Sequence, residues 1–171
     1  MGSRLARLAR EYGTFMHQGM TYGGEPYGVH LEAVERILLD AGYSHDLWRA
    51  AAWLHDVIED CGISRERLAD EFDSDVLADI VWRVSCDPTL PSRAAKMESI
   101  YAKTDARSAI LKVADRIANL EASERGSRHA DRYMREAAEF HRRVAVLVVN
   151  RRLRDRLEAA YDRLENFQGA E

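Results

Sequence analysis

The stretch Ala50-Ala51-Ala52-Trp53-Leu54-His55-Asp56-Val57-Ile58-Glu59-Asp60 sets four ionisable side chains at the end of an otherwise apolar run. Apolar residues on nearly every side of it imply a helix buried almost all round. A carboxylate in such surroundings costs on the order of several kcal/mol unless a counter-charge offsets it, and a metal cation is the usual one. Two further residues share the problem. His30 opens a helical stretch just after a turn. Asp115 lies inside Ile110-Leu111-Lys112-Val113-Ala114-Asp115-Arg116-Ile117-Ala118-Asn119-Leu120, where an ion pair with Arg116 or Lys112 is the other way to satisfy it. Together His30, His55, Asp56 and Asp115 make a donor set of two nitrogens and two oxygens with room for water, suited to Mn²⁺, Fe²⁺, Co²⁺ or Zn²⁺.

Spacing adds a division of labour. On one continuous helix His55 and Glu59 stand four apart, as do Asp56 and Asp60, which stacks the four in two adjoining rows. His55 and Asp56 diverge by ~100° but still converge on an ion between them, while Glu59 and Asp60 lie ~5.4 Å further along. From there they can take the proton of an attacking water. Lys112 and Arg116, with Lys96 and Lys103, are candidate partners for phosphate oxygens. Tyr133 and Arg132 can reach the same pocket from a later helix, although solvated helix faces explain such charges equally well.

The elements that must hold these residues read as helices throughout. Leu5, Leu8, Ala9, Tyr12 and Phe15 form one apolar stripe, ended by Gly19 and the loop Tyr22-Gly23-Gly24-Glu25-Pro26. A second helix is expected from about Val29 to Ala41 with Gly42 behind it. A third is expected from Ser44-His45-Asp46 to Asp60, stopped by Gly62. Ser64 caps a short helix to Phe72, and Ser74 or Asp75 caps another to Val84. Beyond the break Asp87-Pro88-Thr89-Leu90-Pro91, helices are expected over 92–102, 106–122, 129–150 and 151–166, the last two continuous or nearly so. No segment alternates with period two. The fold class is therefore all-α, a single domain over 1–171 with its core at about 5–150 and a C-terminal helix at about 151–166.

The 171 residues, 46% of them hydrophobic and 32% charged, suit one globular domain with a full core. A formal net charge of −4 argues against non-specific nucleic-acid binding. No apolar run approaches the ~20 residues of a membrane span. Met1-Gly2-Ser3-Arg4 lacks the apolar stretch of a signal peptide, and Cys61 and Cys86 form no CxxC pair, so two buried thiols in a reducing cytoplasm are expected. Neither nucleic acid nor membrane is the expected partner. The Arg-, Glu- and Leu-rich tail after Arg151 leaves self-association open.

The order His30, His55-Asp56, Asp115 resembles the HD superfamily of metal-dependent phosphohydrolases. The resemblance extends through His17-Gln18-Gly19, Gly24-Glu25-Pro26-Tyr27-Gly28-Val29-His30, Leu54-His55-Asp56-Val57-Ile58-Glu59-Asp60 and Lys112-Val113-Ala114-Asp115-Arg116-Ile117-Ala118-Asn119-Leu120, over roughly residues 5–145. In this the chain is similar to the hydrolase domain of RelA/SpoT alarmone enzymes, and especially to stand-alone small alarmone hydrolases like the metazoan SpoT homologues. The resemblance implies an HD-type helical bundle with metal ligands His30, His55, Asp56 and Asp115. It gives Glu59 and Asp60 the attacking water, Asn119 the substrate's sugar and Lys112 a basic position beside the site. It implies Mn²⁺ as cofactor, with Fe²⁺, Co²⁺, Zn²⁺ or Mg²⁺ as alternatives, and removal of the 3′-pyrophosphate from guanosine tetra- or pentaphosphate by a hydrolase without a synthetase domain. Two positions depart from the pattern. Where the family carries Arg, often followed by Lys, this chain has Met20-Thr21-Tyr22-Gly23, in which Tyr22 can stack on a base but supplies no positive charge, and the proline common after the first histidine is Leu31. The other readings are an HD-type phosphatase or phosphodiesterase acting on a deoxynucleoside monophosphate, NADPH or a cyclic nucleotide, and a nucleotide sensor without turnover.

Overall fold

A computed structural model describes residues 4–165. Among them run α1 (Arg4–Met16), β1 (Thr21–Tyr22), β2 (Glu25–Pro26), α2 (Gly28–Asp40), α3 (Asp46–Leu54), α4 (Val57–Cys61), α5 (Arg65–Phe72), α6 (Asp75–Val84), α7 (Arg93–Tyr101), α8 (Ala106–Ala122), α9 (Arg128–Arg143) and α10 (Arg151–Glu165), with one 3₁₀ turn at Ala145–Leu147. The all-α expectation holds, and most helix starts have a local cause, although Tyr27 before α2 and Asp56 before α4 make no side-chain cap. Ser64, Ser74, Ser92 and Ser127 accept backbone N–H groups as N-caps, and Asp105 forms a reciprocal box with Ser108.

Helix α3 is the centre, with Ala50, Ala51, Ala52, Trp53 and Leu54 all buried. Helices α1, α2, α6 and α8 all pack against it, and α2 also packs against α8. The α1–α3 crossing is tight enough to require a residue without a side chain: a Cβ on Gly13 would stand 2.1 Å from the Trp53 carbonyl oxygen. Buried Glu35 of α2 ties α3 in place, accepting from Trp53 Nε1 at 2.7 Å and from Arg49 Nε at 2.8 Å. Helix α10 lies against α8, burying Leu153, Leu157, Ala160, Tyr161 and Leu164. It is thus a packing helix of this chain.

Four expectations need correction. The third helix is two: α3 stops at Leu54, His55 and Asp56 form a turn, and α4 resumes at Val57 until Gly62, in the left-handed region at φ 67°, ends it. The stripe on α1 is narrower than expected, because Ala6, Ala9 and Gly13 face inward while Leu8 and Phe15 are exposed. The loop before His30 is a two-residue antiparallel hairpin pairing Thr21 with Pro26 and Tyr22 with Glu25. Gly23 and Gly24, with φ of 60° and 90°, supply the doubly left-handed turn it requires. Helix α9 ends at Arg143, seven residues before the expected 150, and an irregular segment separates it from α10. Of the expected C-terminal helix, Asn166 lies outside the described residues.

Candidate metal centre and nucleotide cleft

The break between α3 and α4 turns His55 and Asp56 toward α2 and α8. His55 is fixed through its far nitrogen: Nδ1 stands 2.9 Å from the Ala52 carbonyl oxygen. A carbonyl only accepts, so Nδ1 carries the proton and Nε2 presents a lone pair. That Nε2 lies 3.1 Å from Nε2 of His30, on the first turn of α2. Asp56 Oδ2 is 2.9 Å from His55 Nε2 and 3.6 Å from His30 Nε2. From α8, Asp115 Oδ1 comes to 3.3 Å from His30 Nε2 and 3.6 Å from His55 Nε2. His30, His55 and Asp56 each offer a ligand atom within 4.8 Å of the others, and Asp115 closes the group from the opposite wall. The two imidazoles and Asp115 are buried.

Four electron-pair donors facing one another inside a protein repel unless a cation or a proton lies between them. The titration directions say the same. Burial alone would lower the His55 pKa, but the Asp56 and Asp115 carboxylates raise it well above the ordinary value. Burial would raise both aspartates, yet His55 beside Asp56, and Lys112 with the two imidazoles beside Asp115, hold them well below the carboxylate range. The cluster therefore holds two carboxylates charged around a point that attracts positive charge. A divalent cation fits it.

The outer side of three of the four donors is occupied, while His30 Nδ1 is buried without a partner among the described residues. Tyr27 hydroxyl donates to Asp56 Oδ2 at 2.7 Å; burial and that carboxylate push its phenol far above the usual range, so it remains a donor. Lys112 Nζ donates to Asp115 Oδ2 at 2.9 Å, which realises the lysine ion pair considered from the sequence. Asn119 Nδ2 donates to Asp115 Oδ1 at 2.6 Å and its Oδ1 accepts from Tyr22 hydroxyl at 2.8 Å. Such partners orient ligands and set their basicity. Tyr27 and His17 belong to the quoted motifs without an assigned role, and here they form a stack, rings 4.5 Å apart at 5°, beneath the cluster. A phenol two to four residues before a ligand histidine is a weak signal that sequence alone does not resolve.

A cleft of about 230 Å³ opens over the cluster. Its wall includes Glu59, Asp60, Lys112, Asn119, Tyr22, Tyr133 and Arg116. Glu59 is anchored by the Cys86 backbone N–H, 3.1 Å from Oε2. Asp60 is at the rim, its carboxyl raised by burial and by the Asp56 charge. Arg116 lines the cleft but is committed to an internal ion pair with Glu136 at 2.8 Å. Lys96 and Lys103 do not line it. Lys103 Nζ donates instead to the Ser85 carbonyl oxygen at 2.7 Å and lies over the Trp82 ring. Burial pushes the thiols of Cys61, half-buried rather than buried, and Cys86 up to about 11, which keeps both unreactive. No helix among the described residues is long and apolar enough to cross a membrane.

Comparison with known proteins agrees with this architecture. A Vibrio cholerae protein named guanosine-3′,5′-bis(diphosphate) 3′-pyrophosphohydrolase is 38% identical over 113 residues, which is 61% of this chain and 16% of that protein. A Haemophilus influenzae protein of the same name is 38% identical over 132 residues, 72% of this chain and 19% of its own length. The chain thus spans less than a fifth of these relatives. A solved structure described as a metazoan orthologue of SpoT that hydrolyses ppGpp superposes with a TM-score of 0.80 at 24% identity, covering 97% of this chain and 98% of that one, which establishes the common fold. The HD domain family model matches residues 6–146. The chain belongs to the HD domain family.

Proposed function

We propose that the protein is a divalent-metal-dependent hydrolase that removes the 3′-pyrophosphate from guanosine tetra- or pentaphosphate. The reading rests on one observation above others: two imidazole nitrogens and two carboxylate oxygens converge at 2.9 to 3.6 Å under a cleft that also holds Glu59 and Asp60. The names of the two bacterial relatives point to the substrate. In this reading His30, His55, Asp56 and Asp115 hold the cation, and Mn²⁺ suits the mixed nitrogen and oxygen donor set. When bound, the cation supplies Lewis acidity toward a phosphoryl oxygen and the attacking water.

The chain's own groups do the rest. Water adds to the phosphorus attached at O3′, the P–O3′ bond breaks, and the tetraphosphate yields guanosine 5′-diphosphate and pyrophosphate. Asp60, its carboxyl raised by burial and by the Asp56 charge, accepts the water's proton. Glu59, held in direction by the Cys86 N–H, orients that water. Lys112 stays charged because Asp115 and Glu59 more than offset its burial, and it faces phosphate oxygens. Asn119 meets the sugar and Tyr22 closes the cleft over it.

The hairpin Thr21–Pro26 carries no cation, which is the observation favouring the second reading, a different nucleotide on the same centre. A product-resolved assay with Mn²⁺ separates the two. Pyrophosphate and guanosine 5′-diphosphate from guanosine tetraphosphate support the first; orthophosphate from nucleoside monophosphates, with the tetraphosphate left intact, overturns it.

A further inference from the structure

The cleft over the cluster, at about 230 Å³, is smaller than the roughly 300–1,000 Å³ of sites that enclose a nucleotide-sized ligand. A substrate whose scissile phosphate reaches the cluster must therefore extend beyond it. One way out passes the hairpin, where Tyr22 is already engaged, its ring stacked on His30 at 4.6 Å and its hydroxyl on Asn119. The other leads between α7 and α9 into a second cavity of about 550 Å³, which shares Arg93 and Arg132 with the first. Met97 and Tyr101 give this cavity an apolar wall.

The charges at that junction are unbalanced. A single carboxylate, Glu136, answers two guanidinium groups, Arg93 at 2.9 Å and Arg116 at 2.8 Å. The cavity's other acids are taken: Glu98 by Arg143 at 3.0 Å, and Glu139 by Arg142 and Arg143. Arg132 and Arg135, three apart on α9 and so on one face, have no carboxylate partner among the described residues. Arg132 meets only the hydroxyl and ring of Tyr133, and its Nε is buried without an acceptor. An unanswered guanidinium beside a cleft that takes phosphate is a phosphate fork.

Resting on the function proposed above, we propose that Arg132 and Arg135 bind a second phosphate group of the substrate, remote from the scissile one, and that the second cavity takes that end of the nucleotide. In guanosine tetraphosphate this group is the 5′-diphosphate. The chain then selects nucleotides phosphorylated at both ends through α9, where its hairpin has no cation to do so.

Equilibrium binding tests this without turnover. On the Mn²⁺-loaded full chain, guanosine 5′-diphosphate is expected to bind about tenfold or more tightly than guanosine, the scale of one or two hydrogen bonds between charged groups. The Arg132→Gln/Arg135→Gln double variant is expected to bind the two ligands alike. Equal binding by the unaltered protein, or a preference that survives in the double variant, overturns the proposal. A hydrolysis assay on guanosine tetraphosphate run alongside keeps the two questions apart: no turnover with the binding preference present rejects the reaction and leaves the phosphate site standing.

Discussion

The hydroxyl of Tyr27 donates to Asp56 Oδ2 at 2.7 Å while the Tyr27 ring lies flat against His17. The hairpin, α1 and the turn between α3 and α4 are thereby joined behind one carboxylate. Removing the hydroxyl leaves the stack and loses the hydrogen bond that aims Asp56, together with the hydroxyl's contact with Asp60. Tyr27→Phe is expected to weaken Mn²⁺ binding by about 10–100-fold with the fold intact. Titration of the metal by electron paramagnetic resonance measures this; unchanged affinity removes Tyr27 from the centre.

Glu59 touches no other member of the cluster and is fixed through the Cys86 backbone. Glu59→Gln can keep that hydrogen bond through its amide oxygen but loses the negative charge. Metal content by elemental analysis is expected to stay at one per chain, with kcat lower by about 10²–10⁴-fold. A fully active variant would show that the carboxylate has no part in the chemistry.

The ion pairs behind the cleft give a pH signature. Burial alone would raise the Glu136 carboxyl, but Arg93 and Arg116 hold it below its ordinary 4.5. A depressed folded-state pKa means stability present above 4.5 and lost as pH falls through the lower folded value. Glu136→Gln is therefore expected to cost on the order of 3 kcal/mol at neutral pH, largely because Arg116 is left buried without an anion. The gap between variant and parent should close in acid. Urea unfolding of both proteins at neutral and acid pH measures it, and a gap of equal size at the two would contradict the assignment.

Gly13 sets how near α1 comes to the helix carrying the site. An alanine there would put its Cβ 2.1 Å from a backbone oxygen, which has no rotamer to move to. Gly13→Ala is expected to cost roughly 1–3 kcal/mol or more, read as a fall in urea midpoint. A neutral substitution would mean that the two helices slide apart freely.

How much of this was legible beforehand follows from what each signal measures. The four candidate positions are readable from burial and resemblance together: His55, Asp56 and Asp115 stand in apolar stretches, His30 opens a helix after a turn, and the structure brings the four side chains together. The break at His55-Asp56 is not, since hydrophobic period reports which faces are buried and is blind to one residue at φ −103° and ψ −4° between two helices. The stacked rows expected for a continuous helix fail for that reason, although Asp60 N–H still reaches the Asp56 carbonyl at 2.8 Å. The hairpin was missed because strands of two residues have no period. Leu8 and Phe15 were misassigned because α1 meets α3 through small residues, a contact decided by closeness rather than by apolar bulk. Arg132 is readable from the sequence as a helix charge able to reach the pocket, and it does line the cleft; its lack of an acid partner is not readable, because that is a property of three-dimensional neighbours.

One cation is expected to join His30, His55, Asp56 and Asp115. Anomalous diffraction from crystals grown with Mn²⁺ tests it most directly. A single strong anomalous peak bonded to both Nε2 atoms and to a carboxylate oxygen of each aspartate is the predicted result. A peak placed elsewhere, or none over an intact cluster, would contradict the account.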